Sequence, residues 1–265
     1  MILATKSQDA GTALDSLRSA APSSTPVLCA TNGVEAERIA LRRFAHVHGI
    51  NVLMPTAYLH PGVVQVISAP VSGGLDIGRY PHGVDATTTE VAAALSASTF
   101  SSDPVALIMR LKYRKLVLNT ANAVEAACGS ASPAARRLIQ LAASEAEAVY
   151  AASGIDVASA DEEQPKRALM VYRPIAGHHR GGGSTWQSIA RGTSVETDYL
   201  NGEIVLLGRL HDVPTPVNAV LQDLLADLSG AGAAPAGMDA EALLARVEPA
   251  VGSAAESGSG RVGDV

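Results

Sequence analysis

Aromatic side chains are scarce in this chain, whose 265 residues include two phenylalanines, one tryptophan and six tyrosines. Hydrophobic residues nevertheless make up 47% of the sequence, which is enough for a real core in one large or two modest domains. With so few rings, that core must be built from alanine, valine, leucine and isoleucine.

Cysteine is rarer still, and the two that are present, Cys29 and Cys128, lie far apart in the sequence. The lack of a CxxC pair and of histidines at metal-ligand spacing argues against a disulfide framework and a structural zinc site. We interpret both thiols as small buried hydrophobes in a reducing compartment. The run His178-His179-Arg180, which precedes three glycines, has no third ligand nearby and is interpreted as a mobile loop rather than a metal or phosphate site.

Also absent are a long apolar run, a basic segment followed by an apolar stretch at the N-terminus, and an excess of positive charge. The first two absences argue against a membrane span and a secretory signal. The net charge of −6 argues against a nucleic-acid partner, because phosphate binding depends on lysine and arginine. The sequence therefore predicts a soluble, cytoplasmic protein with no nucleic-acid and no membrane partner.

The first hundred residues alternate between strand and helix patterns. Apolar runs at residues 1–5 and 27–31 predict strands. A helical pattern follows the first run at 9–20, and another at 34–44 follows an Asn32-Gly33 turn. This alternation is typical of a parallel α/β sheet. Further strands are predicted at 51–58, 63–69 and 75–79, and a helix at 85–98 with Asp85 as its N-cap.

The later part of the chain has helical patterns, at residues 104–128, 134–153, 186–190, 217–228 and 239–247. We predict an α/β domain at residues 1–105 and a helical domain at 106–229. The remaining segment, 230–265, is rich in alanine, glycine and serine and is predicted to be flexible.

The predicted helix at 104–128 carries a narrow polar stripe. At about 100° per residue, Lys115, Asn119 and Asn122 fall on one side of this helix, and the opposite side is apolar. A lysine flanked by two amides on an otherwise apolar helix suits the lining of a cleft. The competing interpretation is a lysine that reaches solvent and two hydrogen-bonded core amides.

Four sequence stretches, taken in their order and at their spacings, resemble the motifs of a known family. They are Ile-Leu-Ala-Thr-Lys-Ser at 2–7, Thr-Asn-Gly-Val at 31–34 and Leu-Lys-Tyr-Arg-Lys-Leu-Val-Leu-Asn at 111–119. The fourth comprises Ser-Thr-Trp-Gln-Ser from 184, Glu-Thr-Asp-Tyr-Leu-Asn-Gly from 196 and His-Asp-Val-Pro-Thr-Pro from 211. Together they resemble the ketopantoate reductase family, the 2-dehydropantoate 2-reductases and their relatives, over residues 2–228.

The resemblance implies a fold and two catalytic residues. The fold is α/β, with an incomplete Rossmann-like parallel sheet domain that binds NADP and an all-helical C-terminal domain of the 6-phosphogluconate dehydrogenase type. Lys115 matches the family's general acid, an amine whose pKa is expected to fall in a dry cleft so that it can protonate a ketone oxygen. Glu196 matches the carboxylate that holds the lysine and the substrate in register.

Five binding residues follow from the same resemblance. Asn119 and Ser184 match substrate-binding positions, and a helix start at Ser184 would offer backbone N–H groups to a substrate carboxylate. Asn122 stands one residue before the position of the family's second amide and is expected to replace it. Asn32 matches a position at the substrate and the nicotinamide, and Lys6 a position at the phosphate-ribose part of NADP. No metal is implied.

Several of these residues also have an ordinary structural interpretation. Glu196 suits a solvated carboxylate, Ser184 an N-cap, and Asn32 a turn former before glycine. Each would be acceptable for one residue alone, whereas the ordered set favours a functional interpretation.

One expected segment is missing, because nothing before Lys6 supplies the strand, G-x-G-x-x-G loop and helix that open a dinucleotide-binding domain. The literal match at residues 258–263 has no strand before it and is interpreted as a chance product of the tail. Two explanations stay open: a polypeptide lacking about seventy residues of the first βαβαβ unit, or a reduced relative that does not hold NADP alone. In the second case, an exposed apolar sheet edge would favour a homodimer.

Smaller departures bear on the substrate. Ala123 stands where the family has its second amide, and Thr31, Tyr113 and Ser188 replace glutamine, tryptophan and aspartate. The sequence therefore predicts NADPH-dependent reduction of a small 2-oxo acid, either 2-dehydropantoate to pantoate in pantothenate and coenzyme A biosynthesis or a related reaction. The alternative is a non-catalytic relative that acts as a dimerisation or small-acid binding module.

Overall fold

A computed structural model describes residues 1–173, 175–177 and 181–259, with side chains described as far as residue 252. The chain forms two compact units, of which the first contains Met1–Leu116 and Asp156–Arg180 and the second Val117–Ile155 and Gly181–Val265. The first unit therefore ends at Leu116 and regains residues 156–180, whereas the sequence suggested bounds at 105 and 229. Those domain bounds stay a prediction.

The strands of the first unit contain two to seven residues. They are β1 (Ile2–Leu3), β2 (Val27–Cys29), β3 (Val47–Leu53), β4 (Thr56–His60), β5 (Val63–Val66), β6 (Gly73–Arg79) and β7 (Phe100–Ser101). Five of them form one sheet in the order β1-β2-β3-β6-β7, and β4 and β5 form a separate hairpin. As predicted, β1, β2 and β3 run parallel, and Cys29 lies beside both Leu3 and Gly49.

The sheet is mixed rather than wholly parallel, because β6 runs antiparallel to β3 from Arg79 opposite His48 to Gly74 opposite Leu53. A parallel neighbour requires a crossover connection, usually a helix, and only the β4–β5 hairpin separates β3 from β6. The strand β7 follows a helix and pairs parallel with β6.

The helices of this unit cover both faces of the sheet. They are α1 (Ala10–Ala20), α2 (Ala36–Leu41), α3 (Ala86–Ser96), the part of α4 (Ile108–Asn119) up to Leu116, and α7 (Ala160–Ala168). Val27 and Cys29 pack with residues of α1 and α2, whereas Leu28 packs with Ile50, Ile77 and Ala92. Because side chains alternate along a strand, these two clusters lie on opposite faces. Cys29 is buried as predicted, and burial raises the pKa of its thiol.

The predicted N-cap of α3 is confirmed. The Asp85 carboxylate accepts hydrogen bonds from the backbone N–H and the hydroxyl of Thr88 at 2.9 and 2.8 Å. It also lies 3.0 Å from Nε2 of the buried His48 in β3, so this cap joins the helix to the sheet.

The single helix predicted over 104–128 is in fact two helices. Pro104 forms a β-bridge with Ile77, and α4 begins only at Ile108. After Asn119, the N–H and hydroxyl of Thr120 both donate to the backbone oxygen of Val117, at 3.3 and 2.7 Å. This tighter turn interrupts the helical ladder, and α5 (Ala121–Cys128) follows it.

The second unit is helical, as predicted. Besides α5 it contains α6 (Pro133–Ser153), α8 (Ser184–Ala190), α9 (Asn201–Leu210), α10 (Pro216–Gly230) and α11 (Ala240–Ser259). Its buried core consists of alanine, leucine, valine and isoleucine, which confirms the expectation from the scarcity of aromatics. Glu145 on α6 accepts hydrogen bonds from the N–H groups of Val217 and Asn218, at 2.8 and 2.9 Å, and so caps α10.

No prediction covered β7, α7 and α9, and the single strand predicted at 51–58 is in fact two, the end of β3 and most of β4. The helix predicted at 239–247 extends to Ser259, within the segment that was expected to be flexible. The G-x-G-x-x-G match at 258–263 and the run His178-His179-Arg180 lie wholly or partly outside the described residues.

The described residues lack both a metal-binding cluster and a membrane-spanning helix. Within this part of the chain, no three or more histidine, cysteine, aspartate or glutamate side chains are grouped so as to hold a metal ion. None of the described helices combines the length and the apolar character that a bilayer crossing requires. Both cysteines are free thiols.

Candidate functional site

Lys115 lies on α4 and is half-buried. Its Nζ donates a hydrogen bond to Oδ1 of Asn32 at 2.7 Å and another to the backbone oxygen of Val52 in β3. Asn32 belongs to the turn after β2, where Gly33 has a φ of +73°, a conformation that glycine adopts without strain. The fold therefore brings together two predicted site residues that lie 83 positions apart in the sequence.

A second lysine, Lys112, lies one helical turn before Lys115. Its Nζ forms an ion pair with the Glu37 carboxylate and donates to the backbone oxygen of Thr31 at 3.2 Å. Both charged side chains are buried. Sequence reasoning missed this pair. The available signal was the spacing of Lys112 and Lys115 on one side of the same helix, and only the fold brings that side close to Asn32.

Lys6 follows β1 at the carboxyl end of the parallel strands. It precedes a short 3₁₀ turn (Ser7–Asp9), and the Ser7 hydroxyl donates to the backbone oxygen of Asn32 at 3.3 Å. Within the described part of the chain, the hydroxyl oxygens of Thr5 and Thr31 are buried without a hydrogen-bond partner. Polar groups at this end of neighbouring parallel strands suit the sugar and amide groups of a nicotinamide nucleotide.

The second unit contains the other predicted residues, beginning with the two amides. Asn119 ends α4 and is buried, and its Nδ2 has no hydrogen-bond partner among the described residues. Asn122 lies in α5 and is half-buried. A Cβ atom built on Gly183 would lie 3.3 Å from the Oδ1 atom of Asn122, so this amide is close to the start of α8.

Ser184 is the exposed first residue of α8, and Gly183 is the N-cap. The interpretation of Ser184 as an N-cap is therefore wrong. The backbone N–H of Gly183 donates to Oε2 of Glu125 on α5 at 2.8 Å. Sequence reasoning missed Glu125, although its position three residues after Asn122 places both on one side of α5. The fold thus brings Asn122, Glu125 and Ser184 close together.

Glu196 is half-buried and directly precedes a 3₁₀ turn (Thr197–Tyr199) that leads into α9. Its backbone oxygen accepts from the N–H of Tyr199 at 2.9 Å. The following carboxylate, Asp198, accepts from Nε2 of Gln222 at 2.8 Å on α10. Lys6, Asn32 and Lys115 belong to the first unit, and Asn119, Asn122, Ser184 and Glu196 to the second.

Comparison with known proteins identifies relatives in sequence and in fold. Residues 1–81 match the family model described as ketopantoate reductase PanE/ApbA, and residues 107–229 match the model of its C-terminal part. The 2-dehydropantoate 2-reductase of Halobacterium salinarum is 30% identical over 194 residues, which are 68% of this chain and 60% of that protein. The chain therefore spans less than two thirds of this relative's length.

Two solved structures share the fold. The PanE/ApbA family ketopantoate reductase from Ralstonia eutropha JMP134 is 25% identical with a TM-score of 0.70, covering 87% of this chain and 76% of that one. The D-mandelate dehydrogenase solved with NADH and anilino(oxo)acetate is 22% identical with a TM-score of 0.71 and the same coverage.

The fold class is therefore a Rossmann-like α/β sheet unit combined with an all-helical unit, as the sequence predicted. The two family models together cover most of the chain, so the chain belongs to the ketopantoate reductase PanE/ApbA family. The predicted resemblance is confirmed. The roles of the individual site residues stay predictions.

Proposed function

We propose that this chain reduces a small 2-oxo acid to the 2-hydroxy acid with a nicotinamide cofactor, and that the reaction is 2-dehydropantoate to pantoate with NADPH. The contact between Lys115 and Asn32 at the carboxyl end of β2 supports the proposal, because this fold class binds nicotinamide nucleotides at that end of the sheet. Family membership supports the same reaction class.

Lys115 is the proton donor in this proposal. A nicotinamide cofactor, when bound, would supply hydride for the carbonyl carbon. The Lys115 ammonium gives its proton to the carbonyl oxygen. Its positive charge also stabilises the negative charge that develops on that oxygen. The Asn32 side chain and the Val52 backbone oxygen hold the amine, which restricts the directions from which it can donate.

The substrate-binding residues are proposed to be Asn32, Asn119, Asn122 and Ser184, and Glu196 is proposed as the second catalytic residue. The Glu125 carboxylate already accepts the N–H of Gly183, so that donor is not offered to a substrate carboxylate. We therefore assign recognition of the substrate carboxylate to the Ser184 hydroxyl and the Asn122 amide rather than to that N–H group.

The proposed cofactor is NADP, with Lys6 at its phosphate-ribose part and Asn32 at the nicotinamide. The D-mandelate dehydrogenase of similar fold is solved with NADH, which supports a nicotinamide cofactor. The positive charge of Lys6 favours the additional phosphate of NADP. Separate titrations with NADPH and NADH, followed by cofactor fluorescence, distinguish the two.

The pantothenate route, a cytoplasmic location and a homodimer belong to the same proposal. The pantothenate route follows from the family resemblance, the cytoplasmic location from the composition, and the homodimer from an exposed apolar sheet edge. Sedimentation equilibrium of the chain at micromolar concentration measures the homodimer. A monomer over that range would contradict the homodimer without affecting the proposed reaction.

The first prediction concerns Lys115→Ala. We expect turnover of 2-dehydropantoate to fall by about 10² to 10⁴-fold, the usual contribution of a positioned general acid. The NADPH dissociation constant should change little, because the lost group acts on the carbonyl oxygen. Steady-state rates and NADPH titration measure the two quantities.

A matched control is Arg18→Ala, which removes an exposed basic side chain from α1 of the same unit and should leave both quantities unchanged. Equal turnover in Lys115→Ala and the unaltered chain would refute the assignment. Absence of saturable NADPH binding to the unaltered chain would favour the non-catalytic binding module instead.

A further inference from the structure

The ion pair between Lys112 and Glu37 is the most deeply buried pair of charges in the described residues, with 3% of Lys112 and none of Glu37 exposed. Glu37 lies on α2, directly after the turn that carries Asn32, and Lys112 lies on α4 three residues before Lys115. The pair therefore connects the two segments that supply the candidate proton donor and its amide partner.

Stability alone does not account for such a pair. Removing two charges from water is costly, and replacing a buried ion pair with apolar residues of similar volume is often neutral or stabilising. Removing only one partner leaves a buried unpaired charge and is strongly destabilising. A comparison of paired with single replacements can therefore separate a stabilising role from a positioning role.

The contacts of Lys112 extend beyond Glu37. Its Nζ also donates to the backbone oxygen of Thr31 at 3.2 Å, while Lys115 donates to the side chain of the next residue, Asn32, at 2.7 Å. Two lysines of one helix thus hold consecutive residues of one turn. Lys112 fixes the backbone of the turn, and Lys115 donates to the Asn32 amide that this backbone positions.

The surroundings leave this pair little room to move. A Cβ atom on Gly49 of β3 would lie 3.2 Å from Oε1 of Glu37 and 3.4 Å from Cδ of Lys112. The strand therefore forms a close wall against both side chains, and their carboxylate and ammonium groups are held in one arrangement.

We infer that Lys112 and Glu37 are positioning residues for the proposed reduction, which fix the Thr31 backbone and thereby the place of Asn32 relative to Lys115. The inference rests on the proposed function, since reduction requires the Lys115 amine at a fixed point. Neither side chain is assigned contact with the substrate or the cofactor. Their effect on catalysis passes through Thr31 and Asn32.

The decisive variant combines Glu37→Leu with Lys112→Met, which replaces both charges with apolar side chains. We expect the melting temperature to stay within a few degrees and turnover to fall on the order of 10²-fold, the cost of a misplaced catalytic group. The KM for 2-dehydropantoate should change less than kcat. Amide hydrogen exchange of residues 31–34 should become faster, because the turn loses its support.

Two further variants test the inference even if the double variant folds poorly. Lys112→Arg preserves the charge in a larger side chain, and it should retain more turnover and slower exchange at residues 31–34 than the apolar double variant. Glu163→Leu with Arg167→Met removes an ion pair on α7 that touches neither Thr31 nor Asn32, and should leave kcat unchanged. A loss of turnover in both apolar pair replacements alike would overturn the inference.

The exchange measurement separates this inference from the proposed reaction. If the unaltered chain reduces no 2-oxo acid, the proposed function fails, and faster exchange at residues 31–34 in the double variant with an unchanged melting temperature still supports the positioning role. Wild-type exchange at those residues in a stable double variant overturns it, whatever the activity.

Discussion

Lys112 and Lys115 have the same chemistry and lie on one helix, and their contacts separate their proposed roles. Lys112 meets a carboxylate and a backbone oxygen in a buried site, whereas Lys115 donates to a side-chain amide and a backbone oxygen in a half-buried one. Because the Lys112 ammonium is already engaged by the Glu37 carboxylate, we propose Lys115 as the proton donor and Lys112 as a supporting residue.

Asp85 offers a separate test at the scale of one residue. Burial would raise the pKa of Asp85, but hydrogen bonds from the backbone and hydroxyl of Thr88, together with His48, lower it to about 2. The carboxylate is thus favoured in the folded chain over the unfolded one, where its pKa is near 3.8. Its contribution to stability is complete above pH 4 and is lost as the pH falls toward 2.

We expect Asp85→Asn to lower the free energy of unfolding at pH 7 by about 1 kcal/mol, through a weaker cap and the lost charge. The difference from the unaltered chain should shrink between pH 4 and pH 2. Urea unfolding at a series of pH values measures it. Asp9→Asn is the control, because Asp9 is the exposed N-cap of α1 and makes no side-chain capping bond. A difference independent of pH would contradict the linkage.

The sequence identified Asn32 and Lys115 of the candidate site, but it did not identify Glu37 and Lys112, which support them. Motif order identified Lys115 and Asn32, which the fold does bring together. Glu37 and Lys112 lie 75 positions apart, and no local pattern links a carboxylate on one helix with a lysine on another. Contacts of this kind depend on the packing of helices on the sheet.

At the scale of secondary-structure elements, the helix predictions were correct where the hydrophobic periodicity and the capping residues indicated the same helix bounds. The helix α3 begins after Asp85 as expected, and α6 extends over the predicted residues. The helix α7 was missed because its sequence is polar and contains Pro165, although Ser159 and Glu162 form a capping box that signalled its start. The break after α4 depends on hydrogen bonds of Thr120, which helix propensity does not register.

Glycines in the sheet determine how closely α4 can pack. A Cβ atom on Gly78 of β6 would lie 2.7 Å from Cβ of Ile108 and would overlap the backbone oxygen of Val105. Since backbone atoms cannot rotate away as a flexible side chain does, the strand and the start of α4 would have to separate.

We therefore predict that Gly78→Ala lowers the free energy of unfolding by about 3 kcal/mol, the upper range for overpacking. Gly11→Ala in α1 is the matched control: nothing lies within 4 Å of its Cβ position, and alanine should stabilise the helix by up to about 1 kcal/mol. Denaturant unfolding of both variants tests the contrast. Equal stability of the two variants would show that α4 adjusts freely.

At the scale of the whole molecule, the chain crosses between its two units more than once. Residues 156–180 return to the first unit after the helices α5 and α6 of the second. In this returning segment, Lys166 on α7 donates to Asp103 at 2.6 Å and Ser101 at 2.9 Å and forms an ion pair with Asp76 at 2.6 Å. Sequence patterns could not assign this segment, because a helix that follows helices gives no signal of a return to a sheet.

A fragment of residues 106–265 tests this organisation, since it begins at the boundary that the sequence suggests. We expect α6 to remain protected from amide exchange, whereas α7 should exchange at least about tenfold faster than in the full chain because its partners on the sheet unit are gone. Mass spectrometry of the exchanged peptides compares the two. Equal protection of α7 in both chains would show that this helix belongs with the second unit.

The close approach of Gly183 to α5 links the effects of substitutions at two positions that are distant in the sequence. A Cβ at 183 would lie 2.7 Å from Oε2 of Glu125, a residue 58 positions earlier. Because Oε2 is the far end of a flexible side chain, a larger residue at 183 displaces the Glu125 carboxylate and so costs the hydrogen bond that this carboxylate accepts from the N–H of residue 183. The cost of a substitution at 183 therefore depends on which side chain stands at 125, and the effects of changes at the two positions are not additive.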